Sequence, residues 1–410
     1  MTKNANIGAR DPASESAYAW MRLGIALALG TIGSIGMWSF VVALPSVQAD
    51  FGATRADASL AFTLTMIGFG IGGVVAGRLS DRFGIVFPAA CGALLLCVGY
   101  ILTGMASSLL WFALAQGLIG LGSSATFGPL MTDISHWFTR RRGIAVAIAS
   151  CGNYLAGTIW PPLVQHFIAT DGWRTTQIGI GIICVVTMLP LVMALRRRAP
   201  VHHEEVAGAS ATAARGSLGV SSNALMVLLC IAGVACCVAM AMPQVHIVAY
   251  CGDLGYGTAR GSEMLSMIMG FGIISRLAAG LIADRIGGLS ALLMGSVLQG
   301  VALFLYLWFD GLTSLYVVSA LFGLFQGGLV PMYAIIVREY FSAQEAGTRL
   351  GIVLMATLFG MALGGWMSGA IFDLTGSYQA AFLNGTLWNL LNAGIVLWLL
   401  TRSRRRMAYA

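Results

Sequence analysis

Long apolar runs separated by short polar segments dominate this chain. They fall at about 20–45, 58–79, 86–106, 108–132, 143–168 and 175–195, and, after a polar gap, at 223–250, 262–283, 289–308, 313–337, 349–372 and 378–401. Each is near the ~20 apolar residues a helix needs to cross the hydrocarbon of a bilayer. The pattern predicts an all-α membrane protein of twelve transmembrane helices, six and six. It excludes an outer-membrane barrel, whose strands alternate every second residue and give no long apolar runs. The gap at 196–222 carries Arg196, Arg197, Arg198, His202, His203, Glu204 and Glu205, then an Ala/Gly/Ser stretch to Ser222. That is a flexible-linker composition, so the chain divides into an N-terminal half at 1–195, a linker at 196–222 and a C-terminal half at 223–410.

Composition sharpens this picture. Hydrophobic residues make up 58% and charged residues 10%, against roughly 45–50% and roughly 25% in soluble domains, so too little charge exists to cover a water-exposed surface. The net charge of +7 could suggest nucleic acid, but the basic residues track the loops. With the N-terminus inside, nineteen of the 23 Lys and Arg fall in cytoplasmic segments and three outside, Arg55, Arg174 and Arg260. Short loops rich in Lys and Arg stay cytoplasmic. Both termini and the linker are therefore expected on the cytoplasmic side of the cell's inner membrane. Residues 1–19 are polar and lead into an apolar run longer than the roughly 7–15 residues of a signal-peptide core, which reads as an uncleaved first helix. The eight cysteines lie almost entirely in apolar runs without a CxxC pair, so no disulfide framework, metal site or cofactor is implied.

The halves repeat each other. GRLSDRFG at 77–84, ending span 2, recurs as GLIADRIG at 280–287, ending span 8, a shift of 203; at the same shift Gly120 matches Gly323, and Trp137–Phe138 match Tyr340–Phe341. Tandem six-helix halves imply parallel repeats about an axis along the membrane normal, with substrate between them near the midplane. Gly77 and Gly280 are expected to allow close helix approach. Asp81 and Asp284 are suited to accept hydrogen bonds at a neighbouring helix N-terminus. The doubled segment resembles the cytoplasmic loop motif of the major facilitator superfamily, and with the six-plus-six layout the resemblance covers the whole chain. It implies the major facilitator fold and a gate on the cytoplasmic side, with Asp81 docking on the opposite half. Arg78, Arg82, Asp284, Arg285 and Asp133 are further gating candidates.

A narrower resemblance begins at Trp137. WFTRRRGIAVAIASCGNYLAG at 137–157 is similar to the pattern that opens helix 5 in monocarboxylate transporters and oxalate:formate antiporters. Pro161–Pro162, Gly172–Trp173–Arg174, and DLTGSY at 373–378 followed by Phe382 add to it. The acidic, Gly-rich, Trp-containing signature before helix 1 survives only as SESAYAW at 14–20, a departure from the family pattern.

Arg276 is the basic residue left over, inside span 8, where inserting an arginine costs about 2.5–3.5 kcal/mol. No Asp or Glu lies deep in any span. The resemblance implies that Arg276 binds a substrate carboxylate, and the planar guanidinium fork suits two-bonded recognition. His246 and Gln244 near the outer end of span 7 resemble cavity-facing polar positions of bacterial carriers. Asn153, Tyr154 and Tyr333 are the other chosen substrate contacts, while Gln116, Gln326, Asn384, Asn389 and Asn392 are further possible linings; helix-to-helix hydrogen bonding is the competing role for all of them. Asp133 reads as a partner of the arginines at 140–142, or else as a proton carrier.

The resulting expectation is a non-enzymatic, monomeric carrier of a small organic anion, foremost a monocarboxylate, working by alternating access. It would meet membrane lipid and a co-transported proton or counter-anion, and no nucleic acid. A drug:proton antiporter is the alternative, but GNYLAGTIWPP replaces its glycine-proline helix 5 run, and its cationic substrates favour a buried acid. A membrane enzyme or sensor would need a metal-ligand helix or nucleotide loop, and neither motif is present.

Overall fold

The structure, a computed structural model, describes residues 15–138, 141–197 and 218–409. The first apolar run forms α1 (Ala17–Gly33) and α2 (Ile35–Phe51), two pieces of one span joined at Ser34. Span 2 is α3 (Arg55–Phe83) and span 3 is α4 (Val86–Gly104). Span 4 is α5 (Leu109–Ser124) continued by α6 (Gly128–Trp137). Next come α7 (Arg142–Ser150) and α8 (Gly152–Ala194). The C-terminal half holds α9 (Ser222–Asp253), α10 (Thr258–Ile286), α11 (Gly288–Trp308), α12 (Leu312–Gln326) with α13 (Leu329–Tyr340), α14 (Ala343–Thr375) and α15 (Tyr378–Tyr409).

Eleven continuous helical stretches are long and apolar enough to cross a membrane. The twelfth crossing comes from Gly172, which sits inside α8 at φ 80° and ψ 159°. A side chain at that φ would be strained, whereas glycine adopts it freely, so spans 5 and 6 meet at one residue. Helix starts follow ordinary capping chemistry: Thr54 accepts from the amide of Asp57 at 3.1 Å and Ser221 from that of Ala224 at 3.2 Å.

The sequence repeat is also a packing repeat. Gly120 of span 4 lies against the Thr65 carbonyl of span 2, and Gly323 of span 10 against the Ile268 carbonyl of span 8; a Cβ at either glycine would collide with backbone. Spans 4 and 10 break at matching places, after Ser124 and after Gln326. The expectation for Gly77 and Gly280 is corrected: open space surrounds both, so they mediate no close helix approach in this conformation. Large apolar side chains such as Leu94, Leu110, Val186, Leu281 and Phe304 point outward and are exposed. Helices satisfy their own backbone groups, so a surface of this kind is stable against lipid tails.

Successive spans alternate in direction. One face, here the terminal face, therefore carries residues 17, 83, 137, 194, 222 and 286, and the far face carries 51, 104, 253 and 375. Most of the proposed linker, residues 198–217, lies outside the described residues.

Candidate functional site

The halves meet near the middle of the bundle through spans 5, 8 and 10. Arg276 comes from α10 and reaches the other half, donating from Nη1 to the Ser150 carbonyl at 3.0 Å. Its guanidinium carbon lies 4.5 Å from the ring centroid of Tyr154, a cation–π distance. The Ser150 carbonyl is available because α7 ends there and α8 begins at Gly152. The Tyr154 hydroxyl donates in turn to the Gly327 carbonyl at the break of span 10, at 3.5 Å. Arg276 makes no ion pair among the described residues, and its buried Nε has no hydrogen-bond acceptor. Gly272, one turn before it, gives Tyr154 the room to lie flat.

The other substrate candidates go elsewhere. Asn153 turns into its own half, accepting from the Trp38 indole at 3.1 Å. Tyr333 is fully buried and donates to Asn392 at 3.0 Å, which itself donates to Ser296 at 2.8 Å; these bonds tie spans 9, 10 and 12 of one half together. His246 is fully buried toward the far face, with one ring nitrogen 2.8 Å from the Gly365 carbonyl and the other 3.3 Å from the Tyr378 hydroxyl. Of the five substrate candidates, Arg276 and Tyr154 alone are brought together between the halves.

Sequence reasoning missed a clasp on the far face. Asp373 at the end of α14 caps the start of α3 from the opposite half, accepting from the amides of Arg55 at 2.9 Å and Ala56 at 2.7 Å. The Arg55 side chain crosses back to Asp253 at 3.0 Å and to the Tyr378 hydroxyl, stacking on Phe372 at 4.7 Å. Tyr378 leads on to His246, giving one hydrogen-bonded line from the far surface into span 11. The DLTGSY segment supplies both Asp373 and Tyr378, so its signal lay in the sequence, but its partner is 318 residues away. Gln165 to Thr258 at 2.8 Å and Thr63 to the Ala362 carbonyl at 3.0 Å add to the closure.

At the terminal face the gating candidates are apart. Arg78, Asp81, Arg82, Asp284 and Arg285 are all exposed, and among the described residues no hydrogen bond joins the halves closer to this face than Arg276 to Ser150. Asp133 departs from expectation. It pairs with Arg22 of α1 through two parallel bonds of 2.7 and 2.8 Å and makes no such pair with Arg141 or Arg142; Arg140 lies outside the described residues. Arg22 is 1% exposed and Asp133 9%. The pair locks spans 1, 4 and 6 of one half. Arg22 and Arg55 are the buried arginines among the described residues, whereas Arg276 is half-buried.

The sequence profile described as Major Facilitator Superfamily matches residues 26–318 and 292–409. This chain belongs to the Major Facilitator Superfamily. Among proteins of the superfamily, it is similar to Monocarboxylate transporter 13 of Bos taurus, 27% identical over 381 residues, covering 91% of this chain and 86% of the relative. It is also similar to Monocarboxylate transporter 11 of Homo sapiens, 26% identical over 388 residues and covering 90% and 80%. A fungal MFS-type transporter, opdF of Penicillium oxalicum, is 27% identical over 331 residues, with 76% and 75% covered. In fold, the chain is similar to a bacterial homologue of the human lysosomal transporter Spinster, crystallised inward-facing and occupied, at TM-score 0.69 and 13% identity over 94% of this chain and 96% of that one. It is likewise similar to the nucleoside transporter NupG, at TM-score 0.73 and 14% identity over 92% and 99%. The protein is a multi-pass membrane transporter of the facilitator superfamily, and not an enzyme.

Proposed function

We propose that this transporter carries a small organic anion, foremost a monocarboxylate, across the cytoplasmic membrane by alternating access, with Arg276 binding the carboxylate. One observation carries the reading: a cation at the junction of the halves, with no acid to neutralise it among the described residues and an Nε without an acceptor there. A substrate carboxylate supplies both the charge and the acceptor. Tyr154 supports it, since the ring that holds Arg276 belongs to the opposite half and binding would tie the two halves to one ligand. The relatives named as monocarboxylate transporters lean the same way. A cation at the junction of the halves speaks against the cationic substrates of a drug:proton antiporter.

In this reading the halves at 1–195 and 223–410 rock about the linker as a monomer in lipid, both termini are cytoplasmic, and the far face is the outer one. The conformation described here is then closed outside. Asp81, Arg78, Arg82, Asp284, Arg285 and Asp133 belong to the inner gate region, with Asp133 holding it through Arg22. A proton or counter-anion would balance the carried charge. The test is uptake of labelled monocarboxylates and dicarboxylates into proteoliposomes, with and without a pH gradient. Hydrogen bonds to charged groups contribute about 1.5–3 kcal/mol, so Arg276→Ala should lower uptake at least tenfold while the protein still inserts. Arg276→Lys keeps the charge but loses the fork and should also bind weakly. Near-normal carboxylate binding by purified Arg276→Ala would remove Arg276 from the site.

A further inference from the structure

The far-face clasp is divided unevenly between the halves. Its cation, Arg55, and the amides of the α3 start come from the N-terminal half; Asp253, Asp373, Tyr378 and His246 all belong to the C-terminal half. The loops of this face, at 52–54, 105–108, 254–257, 309–311 and 376–377, lie wholly within the described residues. When the halves part here, Arg55 leaves with α3. Two carboxylates then remain around Tyr378 and His246, and no cation of their own half pairs with either among the described residues.

Hydrogen bonding fixes the protons of the closed clasp. The Gly365 carbonyl can only accept, so the His246 nitrogen 2.8 Å from it, Nε2, carries a hydrogen. In the neutral ring Nδ1 is then an acceptor, and it takes the Tyr378 hydroxyl hydrogen at 3.3 Å. The same hydroxyl oxygen accepts from Arg55 Nη1. Arg55 of α3 and Asp373 of α14 are the charges that reach the ring. Tyr378 of α15 touches it, and Tyr250, one turn on in α9, packs on Tyr378 at 5.3 Å and feels Asp310. The neighbouring helices turn their charges elsewhere: Asp50 of α2 pairs with Arg174, and Arg260 of α10 with Glu263.

We propose that His246 is a proton-binding site of the far face, occupied when the clasp is open and emptied when Arg55 returns, so that acid on this side favours opening. A proton on Nδ1 removes the acceptor that Tyr378 uses and directs a second cation at the oxygen that already receives Arg55. In the open form the same proton meets the acidic side of the clasp without Arg55. The guanidinium and the proton are thus alternative counter-charges for one set of groups, and a ligand shifts a two-state protein toward the state that holds it better. Access runs through Tyr378: its O–H bond breaks as the N–H bond forms on Nδ1, and the oxygen takes a proton from water. A cavity of about 370 Å³ between spans 1 and 7, lined by Gln48, Arg55 and Asp253, brings that water to the clasp.

The test follows the amides of Arg55 and Ala56, which Asp373 covers only in the closed form, by hydrogen–deuterium exchange of the full-length protein in nanodiscs. Wild type, His246→Gln and His246→Asn are compared at matched pH between about pH 5 and about pH 8, the window in which histidine changes charge; matching cancels the intrinsic pH dependence of exchange. Relative to both variants, wild-type exchange at these amides should rise about five-fold or more toward the acid end, the lower range of coupling between two sites. Either variant alone suffices if the other does not fold. Arg276→Ala should keep the wild-type response, which separates this site from carboxylate binding. Parallel profiles for wild type and the folded variants, or wild-type exchange that falls toward acid, overturn the proposal.

Discussion

Around Arg22, at the terminal end of the N-terminal half, all three guanidinium nitrogens have acceptors: Nε and Nη2 on Asp133, and Nη1 on the carbonyls of Leu195 and Arg197, each at 3.0 Å. Around Arg276, at the junction of the halves, one bond to a carbonyl and one aromatic ring stand in for all of this. Arg22 is buried and Arg276 half-buried, and both lie in helices flanked by apolar groups. The sharper difference lies in satisfaction. A buried charge with its acid and hydrogen bonds in place has little left to offer, whereas one whose charge is uncompensated is held at a cost that a bound anion removes.

The largest expected effect that tests this contrast is in folding. Arg22→Ala leaves Asp133 buried without its partner, which should destabilise by about 3–5 kcal/mol. It should be seen as loss of detergent-stable protein in thermal unfolding, with recovery when Asp133→Leu is added to Arg22→Leu. Arg276→Ala in the same assay should unfold no earlier than wild type. Equal destabilisation by both would dissolve the distinction.

A smaller effect belongs to the far-face clasp, which resembles the Arg22 site in pairing but joins two halves that must separate. Tyr378→Phe removes the hydroxyl between Arg55 and His246; hydrogen bonds to charged groups contribute about 1.5–3 kcal/mol. The loss applies only while the far face is closed, so spin labels at the exposed flanking positions 57 and 374 should report a larger open population without loss of folded protein. An unchanged distance distribution would make the clasp incidental.

The smallest effect is expected at Asp81, which is exposed and has no partner among the described residues. If it caps a helix of the other half when the terminal face closes, Asp81→Asn should shift the ratio of the two conformers by about two- to five-fold, away from terminal-face closure. An unchanged ratio and unchanged transport would leave Asp81 a surface charge.

Twelve crossings, their grouping in sixes and the 203-residue repeat were legible in the sequence because apolar run length and helix-end residues are local properties, and a bilayer accepts few backbone solutions. Arg276 was legible for the same reason: a charge within an apolar run is visible without knowing its neighbours. Its ring partner Tyr154 could be named only as one polar residue among several. Pairings are properties of assembly. Arg22 read as one more cytoplasmic arginine until packing set spans 1, 4 and 6 against each other, and Asp133 was matched to the arginines nearest in sequence when its partner lies 111 residues away. His246, expected to face the cavity, and Tyr333, expected among the substrate contacts, became internal ties through bonds spanning 119 and 59 residues. The sequence by itself determined which segments cross the membrane and where unpaired charge had to be accommodated; tertiary structure decided which of those charges are satisfied, because the acceptors come from helices that local periodicity does not place side by side.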